Sequence, residues 1–307
     1  MEAEGRFGVR GMTAKTVTPD CSRPPGVGTA VLDLRATLLL LAPLLLLFIL
    51  VLIVPLLGML KQSLWDPALT LRHYEEIYGR ELYARIIFRT LRVSAIVAVA
   101  SLILGYPIAY LMARLQSWQA AVVGACVLLP LWTSVLVRSF AWSVLLSRNG
   151  LVNDALQAVG LTDGPLRLMF TEGAVIMAMT HVLLPFMVLP LYASLRTVPA
   201  DLLSAAQGLG AGRLATLWHV IIPLSRPGIS AGLVMVFVIS LGFFITPALV
   251  GGTQAMMAAS LIGREISSGG EWGLAAALSV LLLVAAFAVV LVFNKAFRLG
   301  RVAGVGQ

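Results

Sequence analysis

A chain of 307 residues in which 59% are hydrophobic and only 12% are charged is excluded from the ordinary soluble proteins. Its net charge of +8 is attributed to orientation in a membrane, because basic residues flank its apolar segments, and a nucleic-acid partner is not expected. Two cysteines, Cys21 and Cys126, are too few and too far apart to indicate a disulfide framework.

The first predicted element is a disordered cytoplasmic tail at residues 1–30. It contains Gly, Pro, Thr and scattered charges without apolar periodicity. Met12 is an alternative start to Met1. A cleavable signal peptide is disfavoured, because the first apolar run has 25 residues and no small-residue cleavage site follows it. Residues 31–307 are predicted to form one transmembrane domain.

Six charge-free apolar runs predict six transmembrane helices, since each reaches the roughly 20 residues that a helix needs to cross a bilayer. The fifth run is too long for one crossing. We therefore end its helix near Leu249, before Gly251-Gly252, and assign Thr253–Gly270 to an outer loop or re-entrant turn. The fold class is all-α and polytopic. The runs are Ala36–Leu60, Val93–Ala113, Leu115–Val137, Gly173–Leu195, Pro227–Gly263 and Trp272–Asn294.

Two outer connections are predicted to contain short amphipathic helices. One, at residues 82–91, would lie at the outer surface and lead into the second span, either as a solvated connector or in contact with an external partner. The other, at Val152–Val159, would stop at Gly160.

The distribution of basic residues favours cytoplasmic termini. Twelve Lys and Arg residues lie on the side of the termini and nine on the other side, with Arg138 inside the third run. The short connections after the second and fourth spans are basic and lie on the side with the larger count.

The connection at 196–226 is predicted to be a helix–glycine–helix hairpin. Pro199 and Asp201 suit the start of a helix, and Gly208 and Gly210 then bend the chain. Apolar residues on each piece are predicted to form one face that docks into a groove of a partner. They are Leu202, Leu203, Ala206, Leu209, Leu214, Leu217, Trp218 and Ile221.

This hairpin resembles the cytoplasmic EAA loop of type I ABC importer permeases, through Ser204-Ala205-Ala206, Gly210 and Val220-x-Ile222-Pro223. Ser204 stands where the family has Glu, so docking is expected to depend on apolar packing and on Arg213. The resemblance implies a loop that docks onto an ATPase subunit. The implied contact residues are Ser204, Ala205, Ala206, Gly210, Arg213, Leu217, Trp218, Val220, Ile222 and Pro223.

Further segments resemble the spermidine/putrescine permease branch of that family. The resemblance implies the type I permease fold with six transmembrane helices, in a bacterial cytoplasmic (inner) membrane. It also implies a second homologous permease subunit, an ABC ATPase dimer and a periplasmic or extracytoplasmic substrate-binding protein. The segments are LGYPIAYLMAR at 104–114, PLWTSVLVRSFAW at 130–142, HVLLPFMVLPLYASLRTVP at 181–199 and FVISLGFFITPALVGG at 237–252.

The substrate pathway is predicted to involve Arg138 and aromatic side chains. Charges inside spans usually face a bundle interior or cavity. The alternatives for Arg138 are that it snorkels to the surface or pairs with Glu172 or Asp154. Aromatic rings can receive an ammonium group by cation–π contact. No acidic residue lies deep in a span, so affinity is expected to belong to the external binding protein. The aromatic candidates are Trp132, Trp142, Phe186, Tyr192, Phe243 and Phe244.

No motif indicates catalysis, a metal site or a bound cofactor, so the chain is not expected to be an enzyme. None of the three lysines follows a glycine, as a P-loop requires, and the histidines have no Cys or carboxylate at metal-ligand spacing. ATP is expected on the partner ATPase. The predicted function is a permease subunit of an ATP-driven importer of a polyamine. The alternatives are an opine, a phosphonate or another amine-bearing substrate, an ion-coupled secondary transporter, and a membrane-embedded enzyme.

Overall fold

A computed structural model of the chain describes residues 34–65, 68–268 and 272–303. The predicted tail at 1–30, the alternative start at Met12 and Cys21 lie outside these ranges. The chain divides into two compact units, Met1–Ile53 and Val54–Gln307. In the first unit, helix α1 (Leu34–Phe48) is followed by a π-helical turn at Ile49–Ile53.

The second unit is helical between short connections, and its described part contains no strand beyond an isolated bridge between Trp65 and Leu69. The predicted all-α class is therefore confirmed. Its helices are α2 (Val54–Leu64), α3 (Arg72–Gly79), α4 (Glu81–Arg114), α5 (Ser117–Leu128), α6 (Val135–Leu145), α7 (Leu151–Ala158), α8 (Glu172–Arg196), α9 (Ala200–Gly208), α10 (Arg213–Thr216), α11 (Ile222–Leu224), α12 (Arg226–Leu241), α13 (Ala258–Ser267) and α14 (Trp272–Ala303). Short 3₁₀ or π turns lie at Leu129–Trp132, Leu217–Ile221 and Pro247–Gly251.

Four helical stretches in the described ranges are long and apolar enough to cross a membrane without a break: Leu41–Leu64, Glu81–Arg114, Glu172–Arg196 and Trp272–Phe293. Two more spans result if each bent pair of helices counts as one. Ser117–Trp132 and Val135–Leu145 meet at 97°, and Arg213–Leu224 and Arg226–Leu241 meet at 65°. The described residues thus hold four to six spans, and the predicted six is the upper figure.

Two predicted spans have different boundaries in the structure. The predicted helix Leu115–Val137 is broken after Trp132, and Ser134 caps the new helix α6 by accepting a hydrogen bond from the Leu136 N–H at 3.3 Å. The fifth helix ends at Leu241 rather than near Leu249, because Gly242 weakens the helix there and Pro247 begins a separate π turn.

The connections that the sequence predicts to lie outside are also more helical than expected. Residues 82–91 are not a separate surface helix, since α4 is continuous from Glu81 into the membrane span; the short helix is α3, which precedes it. Part of the predicted outer loop Thr253–Gly270 forms α13. The amphipathic helix predicted at Val152–Val159 is confirmed as α7, and Gly160 follows it with φ +74°.

Helices α4, α8 and α12 pack against one another and enclose the main core. Two glycines of α12, Gly228 and Gly232, allow it to approach α8 closely. A Cβ at Gly228 would lie 2.5 Å from Ser194 Cβ, and one at Gly232 would lie 2.6 Å from Met187 Sδ. Small residues spaced four apart are the usual means by which membrane helices bring their backbones together.

Candidate functional site

The segment between α8 and α12, residues 197–225, is called the coupling segment after the role that the sequence predicts for it. It consists of α9, a glycine turn, α10, the π turn Leu217–Ile221 and α11. Helix α9 begins directly after Pro199, and Asp201 lies in its first turn. Arg196 ends α8 and Arg226 begins α12, and the chain between them forms a helix, a glycine turn and further short helical pieces.

Helix α9 ends in a Schellman motif. Gly210 has φ +82°, a left-handed conformation that glycine adopts without strain. Its N–H donates to the Gln207 carbonyl at 2.9 Å, and the Ala211 N–H donates to the Ala206 carbonyl at 3.0 Å. These two bonds satisfy the last carbonyls of the helix. The spacing of Ala206 and Gly210 therefore has a local physical cause, because both residues take part in the turn that reverses the chain.

One face of the coupling segment is anchored on the membrane helices. Ile221 and Thr216 are buried, and Leu203 and Leu217 are half-buried against the main core. At the end of the segment, the Ser225 hydroxyl lies 3.1 Å from the Tyr106 hydroxyl of α4. The segment is thus attached through side chains from both of its helical pieces.

The opposite face presents large apolar side chains that no other part of the described chain covers. The exposed fraction of Leu209 is 90%. The prediction of a single apolar docking face on each piece is therefore wrong, because the chain packs Leu203, Leu217 and Ile221 against its own core. The exposed large apolar residues are Leu202, Leu209, Leu214 and Trp218.

The remaining predicted contact residues differ in exposure. Ser204 is exposed, and its hydroxyl donates to the Ala200 carbonyl one turn back at 3.2 Å. Ala205 and Arg213 are exposed as well. The half-buried residues, whose side chains reach the surface only in part, are Ala206, Val220, Ile222 and Pro223.

Two of the predicted pathway residues lie one helical turn apart on α6, Arg138 and Trp142. The Trp142 indole N–H donates to His181 Nδ1 of α8 at 3.3 Å, and the two rings meet edge to face with centroids 5.7 Å apart. His181 was not among the predicted pathway residues. Its position as a polar residue in an otherwise apolar span was the signal available in the sequence.

Arg138 has none of the partners that the sequence suggested. Its exposed fraction is 9%, so it does not snorkel to the surface, and its buried Nε and Nη1 atoms have no hydrogen-bond partner in the described part of the chain. The predicted pairing with Glu172 or Asp154 is also wrong. Glu172 instead pairs with Arg89, through Nε and Oε1 at 3.0 Å, and with Arg92.

The other aromatic candidates do not join Trp142 in one cage. Trp132 is 88% exposed at the break before α6. Tyr192 lies eleven residues beyond His181 on α8, about 16 Å along the helix axis. Phe186, Tyr192 and Phe243 pack against the main core, whereas the Phe244 ring lies over Gly263 of α13.

A polar cluster near the start of α4, around Arg89 and Thr90, was not predicted from the sequence. Besides pairing with Glu172, Arg89 donates to the Gln254 carbonyl at 2.7 Å, and Thr90 Oγ1 accepts the Ala258 N–H at 2.8 Å, at the start of α13. These contacts tie α4, α8 and the 254–258 turn together. Charges next to the same ends of two predicted spans were the available signal, but their pairing depends on how the helices pack.

No group of three or more His, Cys, Asp or Glu side chains in the described ranges is arranged to hold a metal ion. Two features of the described chain remain as candidates for function. One is the exposed apolar face of the coupling segment, and the other is the buried Arg138 near the Trp142–His181 pair.

Comparison with known proteins agrees with this architecture. The family model for the binding-protein-dependent transport system inner membrane component matches residues 24–298. The spermidine/putrescine transport system permease protein PotB of Escherichia coli (strain K12) is 35% identical over 230 residues, which are 75% of this chain and 83% of that protein.

Two solved structures show the fold. A bacterial ABC transporter involved in the import of the acidic polysaccharide alginate gives a TM-score of 0.70 at 22% identity, over 86% of this chain and 96% of the matched chain. A bacterial alginate ABC transporter in complex with alginate pentasaccharide-bound periplasmic protein gives a TM-score of 0.68 at 23% identity, over 85% and 94%. The chain therefore has the ABC importer permease fold and belongs to the family of inner membrane components of binding-protein-dependent transport systems.

Proposed function

We propose that this permease carries a polyamine across the inner membrane, as one of two homologous subunits that together enclose the pathway. The observation that carries the proposal is the 35% identity to a spermidine/putrescine permease over 83% of that protein's length. Trp142 is half-buried and pairs with the exposed His181, so its ring is partly accessible and can offer an aromatic face to an ammonium group. Selection of the substrate would then depend mainly on a separate extracytoplasmic binding protein.

The coupling segment is proposed to dock onto an ABC ATPase dimer that binds and hydrolyses ATP; the permease itself would need no cofactor. Its outer face supports this, because four large apolar side chains are exposed along it: Leu202 on α9, Leu209 directly after α9, Leu214 on α10 and Trp218 in the π turn that follows. Large apolar and aromatic side chains are the usual anchors of protein interfaces. Ser204 contributes no charge there, so apolar packing and Arg213 would provide the contact.

An uptake assay tests this function. The permease is produced with its second permease, its ATPase and its binding protein in cells that lack other polyamine importers. Labelled spermidine or putrescine should accumulate, and a variant of the ATPase that cannot hydrolyse ATP should abolish the uptake. Uptake that survives the ATPase variant would indicate an ion-coupled transporter. ATP-dependent uptake of an opine or phosphonate that spermidine does not inhibit would exclude the polyamine assignment.

The proposed orientation has both termini and the coupling segment in the cytoplasm. Two glycines with open space where a Cβ would be added, Gly212 and Gly164, serve as reporter positions on opposite sides. In a background with Cys21→Ser and Cys126→Ser, Gly164→Cys should react with a membrane-impermeant thiol reagent in cells with a permeabilised outer barrier. Gly212→Cys should react only after the inner membrane is opened. The reverse pattern of labelling would contradict the orientation.

A further inference from the structure

A cavity of about 220 Å³ lies where α4 and α8 end, at the root of the coupling segment. Arg114 and Arg196, the last residues of the two helices, line it together. The rest of its wall includes apolar side chains, among them Val198, Leu203 and Ile221. We name this cavity the two-arginine pocket.

Both arginines are held in place by aromatic rings rather than by acids. The Arg114 guanidinium carbon lies 5.2 Å from the centroid of the Tyr110 ring, and that of Arg196 lies 5.9 Å from the centroid of the Tyr192 ring. Arg196 Nη1 also donates to the Tyr192 hydroxyl at 3.4 Å. The ion pairs found within the described ranges involve other arginines. Both side chains are exposed, so two positive charges face the pocket uncompensated.

The depth of the pocket is set by the sequence. Arg114 is the first charged residue after the apolar run that ends at Ala113, and Arg196 is the first after the run that ends at Leu195. Each arginine therefore marks the point where a span leaves the hydrocarbon core and enters the headgroup layer. Two arginines from neighbouring helices consequently meet at the level of the lipid phosphates, next to an apolar wall.

We propose that the two-arginine pocket binds one anionic glycerophospholipid, such as phosphatidylglycerol. The guanidinium groups donate to its phosphate, whose geometry they match, and the apolar wall receives the first part of an acyl chain. Basic pockets between transmembrane helices commonly hold such headgroups. Ala200 and Leu203 of α9 also line the pocket, so the bound lipid touches the coupling segment. With the coupling segment in the cytoplasm, this lipid belongs to the inner leaflet, and that choice of leaflet alone rests on the proposed function.

Native mass spectrometry of the purified transporter, exchanged into nanodiscs that contain both phosphatidylglycerol and phosphatidylcholine, tests the proposal. The wild type should retain one tightly bound phosphatidylglycerol, and the Arg114→Gln/Arg196→Gln variant should bind it about 30-fold more weakly, as expected for two lost charges near the membrane surface. Arg114→Lys/Arg196→Lys, which keeps both charges, should retain most of the binding. Retention needs neither transport nor a known substrate, so its outcome is independent of the polyamine assignment.

Arg80→Gln/Arg85→Gln is the matched control. It removes the same number of charges, but these arginines already pair with Glu76 and Glu81, at 2.9 and 2.8 Å. This variant should retain the lipid. Equal retention by the Arg114→Gln/Arg196→Gln variant, or equal retention of phosphatidylcholine by the wild type, would overturn the proposal.

Two further outcomes would also overturn it. If inorganic phosphate stabilises the protein against heat as much as short-chain phosphatidylglycerol does, the pocket is a free-anion site. The second outcome concerns the ATPase. If the Arg114→Gln/Arg196→Gln variant still retains one phosphatidylglycerol but loses the ATPase to the same extent in phosphatidylglycerol and in phosphatidylcholine, the two arginines contact that subunit instead.

Discussion

Gly228→Ala is expected to lower the free energy of unfolding of this permease by about 1–3 kcal/mol, the usual cost of overpacking a core. The added Cβ would lie 2.5 Å from Ser194 Cβ and 2.7 Å from the Pro190 carbonyl oxygen. Both atoms belong to, or lie next to, the backbone of α8, so they cannot move aside without moving the helix. The substitution must therefore push α12 away from α8 and loosen the main core.

The same substitution at two other helical glycines provides the controls. Gly232 faces the sulfur of Met187, the flexible part of a side chain, so Gly232→Ala should cost less than Gly228→Ala. Gly58 of α2 has nothing within 4 Å of its added Cβ, so Gly58→Ala should be neutral or slightly stabilising. Denaturation in detergent measures the order of the three effects. A Gly228→Ala variant as stable as Gly58→Ala would contradict the close packing of α8 and α12.

The sequence predicted the membrane spans well where apolar character alone decides them. Long charge-free runs became the spans within α4, α8 and α14, because a helix satisfies every backbone hydrogen bond of such a run within the run itself. The prediction of helix boundaries failed at Thr133 and Gly242, where the apolar run continues but the helix ends. Hydrophobicity measures depth in the membrane and contains little information on a local break, which depends on caps, glycine and proline.

The coupling segment was predictable because its form depends on nearby residues. Pro199 starts α9, and Gly210 closes it through hydrogen bonds to the preceding turn. Periodicity could not decide which apolar residues face the core and which stay exposed. Leu203 and Leu202 are neighbours in sequence, yet the first packs against the core and the second is exposed. That division is set by where α4 and α8 end in space.

The candidate pathway was the least predictable part, because it depends on pairings between distant helices. The sequence offered Glu172 as a partner for Arg138. In the structure, Glu172 pairs with Arg89 and Arg92 of α4 instead. Arg138 is left with buried, unpartnered nitrogens in the described chain, a costly state for a charged group. The lack of a partner for Arg138 can be recognised only in the folded structure, because it depends on which helices pack together.

Gly210→Pro is expected to abolish docking of the ATPase while the permease still reaches the membrane. Proline fixes φ near −65°, whereas Gly210 has φ +82°, and proline would also remove the N–H that bonds to the Gln207 carbonyl. The incompatibility costs about 3 kcal/mol or more, enough to weaken docking at least ~100-fold if the hairpin must keep this shape. Uptake should fall to background, because the turn places Leu209 and Leu214 on the outer face.

Gly210→Val and Gly212→Val form the matched pair that separates backbone conformation from bulk. Neither glycine has an atom within 4 Å of an added Cβ, but φ is +82° at Gly210 and −67° at Gly212. A β-branched residue is strained only at the first position, so Gly210→Val should lose the ATPase and Gly212→Val should keep it. Co-purification of tagged permease with the ATPase measures both, with membrane yield as the check on folding. Normal recovery of the ATPase with Gly210→Pro would show that docking does not depend on this turn, and would remove the coupling role from the segment.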